Sequence, residues 1–258
     1  MIRQEVLDLL MPTGRGTPCG ELMRRYWQPA ALSEELSVDK PLAVQLFGEE
    51  LILFRDGEGN PALIGRYCAH QGVDMIDGQV EPDGLRCLYH GWLFDNCGKV
   101  VLRGDWLPEN ERRWDVGQPA YPCVEQSGII FTYMAKGDLP PPTLEKFTHP
   151  FEASAPAKEI CAGNYLLGMS DANESGFSGA AFVLPNLMVS PAAPADRESW
   201  ARWHVPVDDS SYVAFTLRYS GATRTSGEPR DELHQFLLKA IETVRSEPPR
   251  SPAKTAKD

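Results

Sequence analysis

Four residues in one short stretch have the types and spacing to hold a metal centre. From Cys68 to Trp92 the chain reads CAHQGVDMIDGQVEPDGLRCLYHGW. A Cys68-x-His70 arm and a Cys87-x-x-His90 arm each offer one thiolate and one imidazole, and 16 residues lie between His70 and Cys87. Two soft and two borderline donors on paired loops suit a [2Fe-2S] cluster in which two Cys hold one iron and two His the other. Cys68 and Cys87 then bind the buried iron, and His70 and His90 the outer one. Neutral imidazoles bring less negative charge than thiolates and raise the reduction potential.

The competing chemistry is zinc, for which Cys2His2 is also a tetrahedral set. Zinc fingers usually pair Cys with Cys and His with His, whereas each arm here carries one of each. Gly72 and Gly91 favour the cluster. Each follows its arm where the loop must turn tightly and bring backbone N–H groups near the cluster sulfurs, which glycine permits.

The motifs YCAHQG, GLRCLYHGW and LFDNCGKV together resemble the Rieske domain of the ring-hydroxylating oxygenases, alpha subunit, in particular the phthalate dioxygenase type. Respiratory Rieske proteins carry two further Cys at places that are Val73 and Tyr89 here, so the resemblance implies no disulfide between the loops. The respiratory type also has a hydroxyl residue where this chain has Trp92. Without that donor to a cluster sulfur the potential should lie low in the Rieske range. Gln71 departs from the Arg that the oxygenases often have there. Arg86, Tyr89 and Trp92 are expected to pack the other sides of the cluster.

The elements that position these arms read as mainly β. LAVQLF, LILFR and ALIGRY, with turns at GEE and DGEGN, form a meander that delivers Cys68. DMIDGQVEPDG reads as a polar connection to the second arm. WLFD and KVVLR make a hairpin about NCG, and YPCVEQSGIIFTYM closes the sheet about Ser127-Gly128. Ahead of the meander lie a short amphipathic start, a Gly/Pro loop and a segment whose Tyr26 and Trp27 read as core packing. Its Y-W-x-P pattern is similar to the lead-in of the oxygenases. GDLPPP is a stiff boundary. Beyond it, FVLPNLMVSP, WARWHVPVDD and YVAFTLRY resemble strands of the oxygenase catalytic domain. In LHQFLLKAIETVRSEPP, residues Leu233, Phe236, Leu237, Ala240, Ile241 and Val244 share one helical face. The expected organisation is a lead-in at 1–40, a Rieske domain at 41–136, a linker at 137–142, a shortened oxygenase-like catalytic domain at 143–245 and a polar, disordered tail at 246–258. The fold class is a Rieske-type antiparallel β domain followed by a reduced α+β remnant.

In the resembling family the cluster feeds a mononuclear iron(II) held by two His and a carboxylate. The two His come from an Asp-x-x-His-x4-His helix whose Asp bridges to a neighbouring subunit's cluster. This chain has five His, and once the cluster takes two, His149, His204 and His234 remain, none in an i, i+4 or i, i+5 pair. The nearest match is NYLLGMSDANESGFSG, where Asp171 stands for the bridging Asp and Glu174 and Gly179 fall at the His positions. The simplest account is that the iron helix is absent, which leaves a mononuclear Fe(II) in doubt. A site rebuilt from His149, His204 and Asp171 or Asp208 needs three ligands to converge by accident. Asp208 and Asp209 read as turn residues.

Composition sets outer limits. The 258 residues are 42% hydrophobic, enough for a core. No apolar run approaches a membrane span, and the start is acidic where a signal peptide is basic, so a cytoplasmic protein is expected. Cys19, Cys97, Cys123 and Cys161 read as free thiols. A net charge of −11 argues against nucleic acid and favours a partner with a basic docking face. The expected function is one-electron transfer from a reductase or ferredoxin. One alternative is an active ring-hydroxylating or O-demethylating oxygenase on an aromatic acid. Another is a zinc-stapled interaction module. The resemblance implies a homotrimer or association with a full-length oxygenase.

Overall fold

The computed structural model describes residues 4–102, 116–136, 141, 154–174, 181–183, 185–189 and 199–219. Two helices, α1 (Gln4–Leu10) and α2 (Pro18–Met23), precede a strand β1 (Gln28–Leu32). Helix α2 starts where it does because Thr17 caps it. The Thr17 hydroxyl accepts the N–H of Gly20 at 3.2 Å and Pro18 fills the first turn, where no amide is needed.

Strands β2 (Leu42–Leu46), β3 (Glu49–Arg55) and β4 (Pro61–Gly65) form the expected antiparallel meander. The second sheet carries the arms: β5 (Gln79–Glu81), β6 (Gly84–Arg86), β7 (Leu93–Phe94) and β8 (Val100–Leu102), paired in that order. Strand β9 (Ala120–Tyr121) adds to β4, and the hairpin β10 (Cys123–Gln126) and β11 (Ile129–Thr132) pairs with β1. The period-2 alternation of β3 makes it a wall between two cores. Leu51 and Leu53 enter the larger core, while Ile52 and Phe54 point the other way, into a smaller core that contains Cys68, Cys87 and Trp92. Each such side chain contributes roughly 1.5–3 kcal/mol by leaving water, so the wall under the arms is firmly held.

The remaining sheet has the order β12 (Ala157–Ala162), β16 (Ser211–Tyr219), β15 (Ser199–Pro206), β14 (Leu187–Val189), β13 (Ala181–Val183), with α3 (Tyr165–Glu174) between β12 and β13 in sequence. It shares the larger core with the meander and with β1 and β11. Phe131 meets Trp203 edge-on at 5.7 Å. Phe47 and Gly48, both at positive φ in the two-residue turn after β2, donate their N–H groups to Pro206 O and Val207 O at 2.9 and 2.7 Å. Among the described helices none is long and apolar enough to cross a membrane.

Three expectations need correction. The segment read as an amphipathic start and loop contains two helices and the buried strand β1, whose Pro29 sits at an irregularity in its pairing with β11. The Ser127-Gly128 hairpin joins β1 and not the meander, to which, among the described strands, β9 adds. The polar connection before the second arm holds β5, paired with β6 from Gln79–Arg86 to Glu81–Gly84. In each case a partner distant in sequence, or a very short strand, supplied order that local composition does not show. The helix expected over Leu233 to Val244 and the tail lie outside the described residues.

Candidate metal centre

The two arms are the same loop built twice. In the first, the Cys68 N–H donates to Val73 O at 2.8 Å and the Gly72 N–H to Cys68 O at 2.7 Å. In the second, the Cys87 N–H donates to Trp92 O at 2.8 Å and the Gly91 N–H to Cys87 O at 2.9 Å. Each cysteine is therefore bonded to the residues four and five places on, and both glycines take φ +70. A positive φ there turns the chain back on itself at no cost to glycine. The first loop is closed below by a Tyr67–Asp74 bridge, the second by the Arg86–Leu93 pair of β6 and β7.

This repeat brings the four sequence-predicted ligands together as two unlike pairs. Cys68 and Cys87 are 3% and 2% exposed and close enough for their thiols to interact. His70 and His90 are half-buried above them, with their Nδ1 atoms 2.9 Å apart. Two nitrogens bound to one metal ion at ~2 Å and roughly a right to tetrahedral angle apart sit ~3 Å from each other. The spacing, which one N–H···N hydrogen bond between the rings fills here, is also that of two ligands to a common ion. Among the described residues no three His, Cys, Asp or Glu side chains converge on a single-ion site. Sulfur pair below and nitrogen pair above is the division a two-iron cluster makes and one tetrahedral zinc does not.

The surroundings tune these donors. Burial, the largest cause, pushes the Cys68 thiol up to about 11, with Cys87 adding to the rise, while the His70 and Gln71 amide N–H groups pull it down. A thiol raised that far keeps its proton at neutral pH until a metal displaces it. Trp92 is buried and stacks on His70 with centroids 4.5 Å apart and planes 10° apart, so its expected packing role holds. Tyr89 is 61% exposed, with its ring 3.9 Å from that of His90. Arg86, expected at a side of the cluster, has partners of its own beside the second arm. It turns to Glu81 through Nε and through Nη2 at 2.7 Å, and its Nη1 donates to Gly91 O at 2.8 Å. Arg66 forks onto Asp74 at 3.0 and 2.6 Å. These hydrogen bonds, the largest cause in each case, hold the Asp74 and Glu81 carboxyls below their ordinary range. Both ion pairs were missed in the sequence, although an arginine two residues before Cys68 and another directly before Cys87 were the signal.

Of the other candidates, His204, Asp208 and Asp209 have partners away from this site. Asp171 lies on α3, while Gly179, His149 and His234 lie outside the described residues. His204 is a packed strand residue at 1% exposure, its ring 5.5 Å from that of Tyr212 and its Nδ1 without a hydrogen bond. Burial, then the Arg202 charge, lowers its pKa to about 4. Asp208 is a turn residue as expected, accepting the N–H and hydroxyl of Ser210 at 2.8 Å each. Asp209 accepts the Thr13 N–H at 2.9 Å. All six cysteines are free thiols.

Residues 26–109 match the family model of the Rieske [2Fe-2S] domain. The chain is 44% identical over 132 residues to the oxygenase subunit of tert-butanol monooxygenase / tert-amyl alcohol desaturase from Aquincola tertiaricarbonis, covering 51% of this chain and 28% of that one. It is 34% identical over 184 residues to the phthalate 4,5-dioxygenase oxygenase subunit of Pseudomonas putida, covering 70% of this chain and 42% of the relative. The chain thus spans less than half the length of these relatives. Among solved structures, dicamba monooxygenase superposes with a TM-score of 0.63 at 17% identity over 90% of this chain and 93% of that one. The terminal oxygenase of carbazole 1,9a-dioxygenase from Nocardioides aromaticivorans IC177 gives 0.62 at 17% identity, covering 93% and 84%. These two likenesses speak to fold.

Proposed function

We propose, from the premise that the chain carries a Rieske [2Fe-2S] domain and is related to the alpha subunits of Rieske oxygenases, that it works as a one-electron carrier. The observation behind this reading is the arrangement of ligands by depth, with two buried thiols under two half-buried imidazoles. When bound, the cluster supplies a single reversible electron at a potential that its mixed ligands set. The protein's part is to hold Cys68 and Cys87 dry, to aim His70 and His90 at a common ion, and to leave a contact face at the imidazole edge. Leu88 and Tyr89, 62% and 61% exposed, lie on that face. One electron enters and one leaves, and no atom is transferred.

The donor in this reading is a reductase or ferredoxin. Support comes from a solved complex of the oxygenase and ferredoxin of carbazole 1,9a-dioxygenase, whose oxygenase has the same fold at a TM-score of 0.61. The acceptor in this reading is an oxygenase iron, reached in association with a full-length oxygenase. A second reading, an oxygenase acting itself on an aromatic acid, is favoured by the phthalate 4,5-dioxygenase relative, which matches 70% of this chain. Outside the cluster arms the only histidine among the described residues is His204, packed in a strand. That favours electron transfer as the activity of the described part. The division into a lead-in, a Rieske domain to 136, a linker and a shortened catalytic domain is part of the same proposal.

A reductive titration tests it. Protein purified without oxygen should take up one electron per chain. The midpoint should fall in the lower half of the Rieske range of about −150 to +300 mV and vary little near neutral pH, because Trp92 brings no hydroxyl to a cluster sulfur. A midpoint in the upper half, or no electron uptake, contradicts the reading.

A further inference from the structure

The twin loops are held in different ways, and the difference falls on the histidines. His70 is backed by a buried ring, since Trp92 stacks on it nearly parallel. The rings beside His90 include Tyr89, which is itself largely in solvent, and His70. Metal-binding imidazoles need neighbours that fix their direction.

The arginines show where the second arm gets its support. Arg66 and Asp74 pinch the neck of the first loop from outside. Arg86 reaches into the second. Its guanidinium is forked onto Glu81 of β5, and the free edge donates to the carbonyl of Gly91, the residue after His90. That carbonyl belongs to the peptide between the two residues whose backbone bonds close the loop on Cys87. Side chains of Arg86 and Glu81 are 23% and 22% exposed, so the pair is sheltered from water. Arginine suits this task because its rigid planar fork can serve a carboxylate on one edge and a carbonyl on another.

We propose that Arg86 is a positioning residue for His90. Anchored by Glu81, it fixes the Gly91 carbonyl and with it the second arm, doing for His90 what the Trp92 stack does for His70. The Arg86–Glu81 pair carries no net charge, so its effect is on geometry and cluster retention more than on the field at the irons.

The test compares Arg86→Gln, Arg86→Lys and, as a control that also loses an ion pair beside an arm, Arg66→Gln. Two readouts are followed: the rate at which a chelator bleaches the visible absorption, and the electron paramagnetic resonance signal of the reduced protein, which reports the histidine geometry. Arg86→Gln should lose iron at least about tenfold faster, as outer-shell changes at metal sites do, with a broadened signal. Arg86→Lys should recover part of this, because an ammonium can serve Glu81 or Gly91 but not both as a planar fork does. Arg66→Gln should stay close to wild type in signal. Equal rates and signals for wild type and Arg86→Gln, or equal damage in Arg66→Gln, overturn the proposal. If Arg86→Gln does not accumulate, Glu81→Gln leaves Arg86 in place but unanchored. It should shift both readouts in the same direction by a smaller factor, and no shift overturns the brace. The inference rests on the cluster reading, and wild type taken through the same preparation separates the two. Iron-free wild type removes the cluster, whereas loaded wild type with an unaltered Arg86→Gln removes only the brace.

Discussion

Gly72 and Gly91 offer a sharp test of the idea that one loop is used twice. Both sit at φ +70, a region where an L side chain costs roughly 1–2 kcal/mol. Among the described residues a Cβ at Gly72 would meet nothing within 4 Å, and one at Gly91 only the Arg86 Nη1 at 3.8 Å. Neither change creates a clash, so the cost is the backbone conformation alone and should be the same in both arms. For a chain of this size 1–2 kcal/mol lowers the thermal midpoint by ~2–8 °C. Gly72→Ala and Gly91→Ala should therefore fall together, as followed by loss of visible absorption on heating at a fixed scan rate. Asn enters the left-handed region more readily than Ala, so Gly72→Asn and Gly91→Asn should recover part of the loss. Two alanine variants that differ by more than about 10 °C, or asparagine variants worse than alanine, would show that the arms do not share one geometry.

Two further outcomes follow from buried charge. His204 has its pKa lowered to about 4 in the fold against 6.5 when free. The unfolded chain therefore binds the proton first as pH falls, and the stabilisation present above pH ~6.5 is lost progressively toward pH ~4. Between pH 7 and pH 5 the loss is about 2 kcal/mol, and His204→Phe should flatten that slope in denaturant titrations; an unchanged slope rejects the assignment. Glu49 accepts from Arg15 at 2.7 Å, from Arg24 at 3.0 Å and from the Tyr121 hydroxyl at 2.6 Å, and Arg24 is only 1% exposed. Glu49→Gln leaves that buried guanidinium without its counter-charge and should cost about 3 kcal/mol, whereas Arg15→Gln, a half-exposed partner, should cost under about 1 kcal/mol. Equal melting shifts for the two contradict this.

The parts of the molecule that were legible in the sequence are those written locally. The candidate ligands Cys68, His70, Cys87 and His90 stand out by their spacing, and the fold brings them together. The strands β2 to β4 and the β7–β8 hairpin are fixed by period-2 alternation between turn residues. Strand β1 was not legible because QPAAL has no alternation; it is buried along its whole length and finds its partner β11 about a hundred residues away. The shared core of the meander and the later sheet is likewise a long-range property, made by residues such as Phe47, Phe131 and Trp203 that each look like ordinary apolar positions. Arg86 was assigned to the cluster flank because it adjoins Cys87. The antiparallel turn between β5 and β6 places Glu81 beside it, a partner that local sequence does not show.

In the proposed centre two loops with the same backbone bonds hold a two-iron, two-sulfide cluster through unlike ligand pairs. The direct measurement is iron, zinc and acid-labile sulfide per chain in anaerobically purified protein, for wild type and for a variant with His70 and His90 both replaced by Ser. The account predicts about two irons and two sulfides per wild-type chain and loss of the cluster signal in the variant. One zinc with no sulfide, or a visible spectrum that survives the double replacement unchanged, contradicts it.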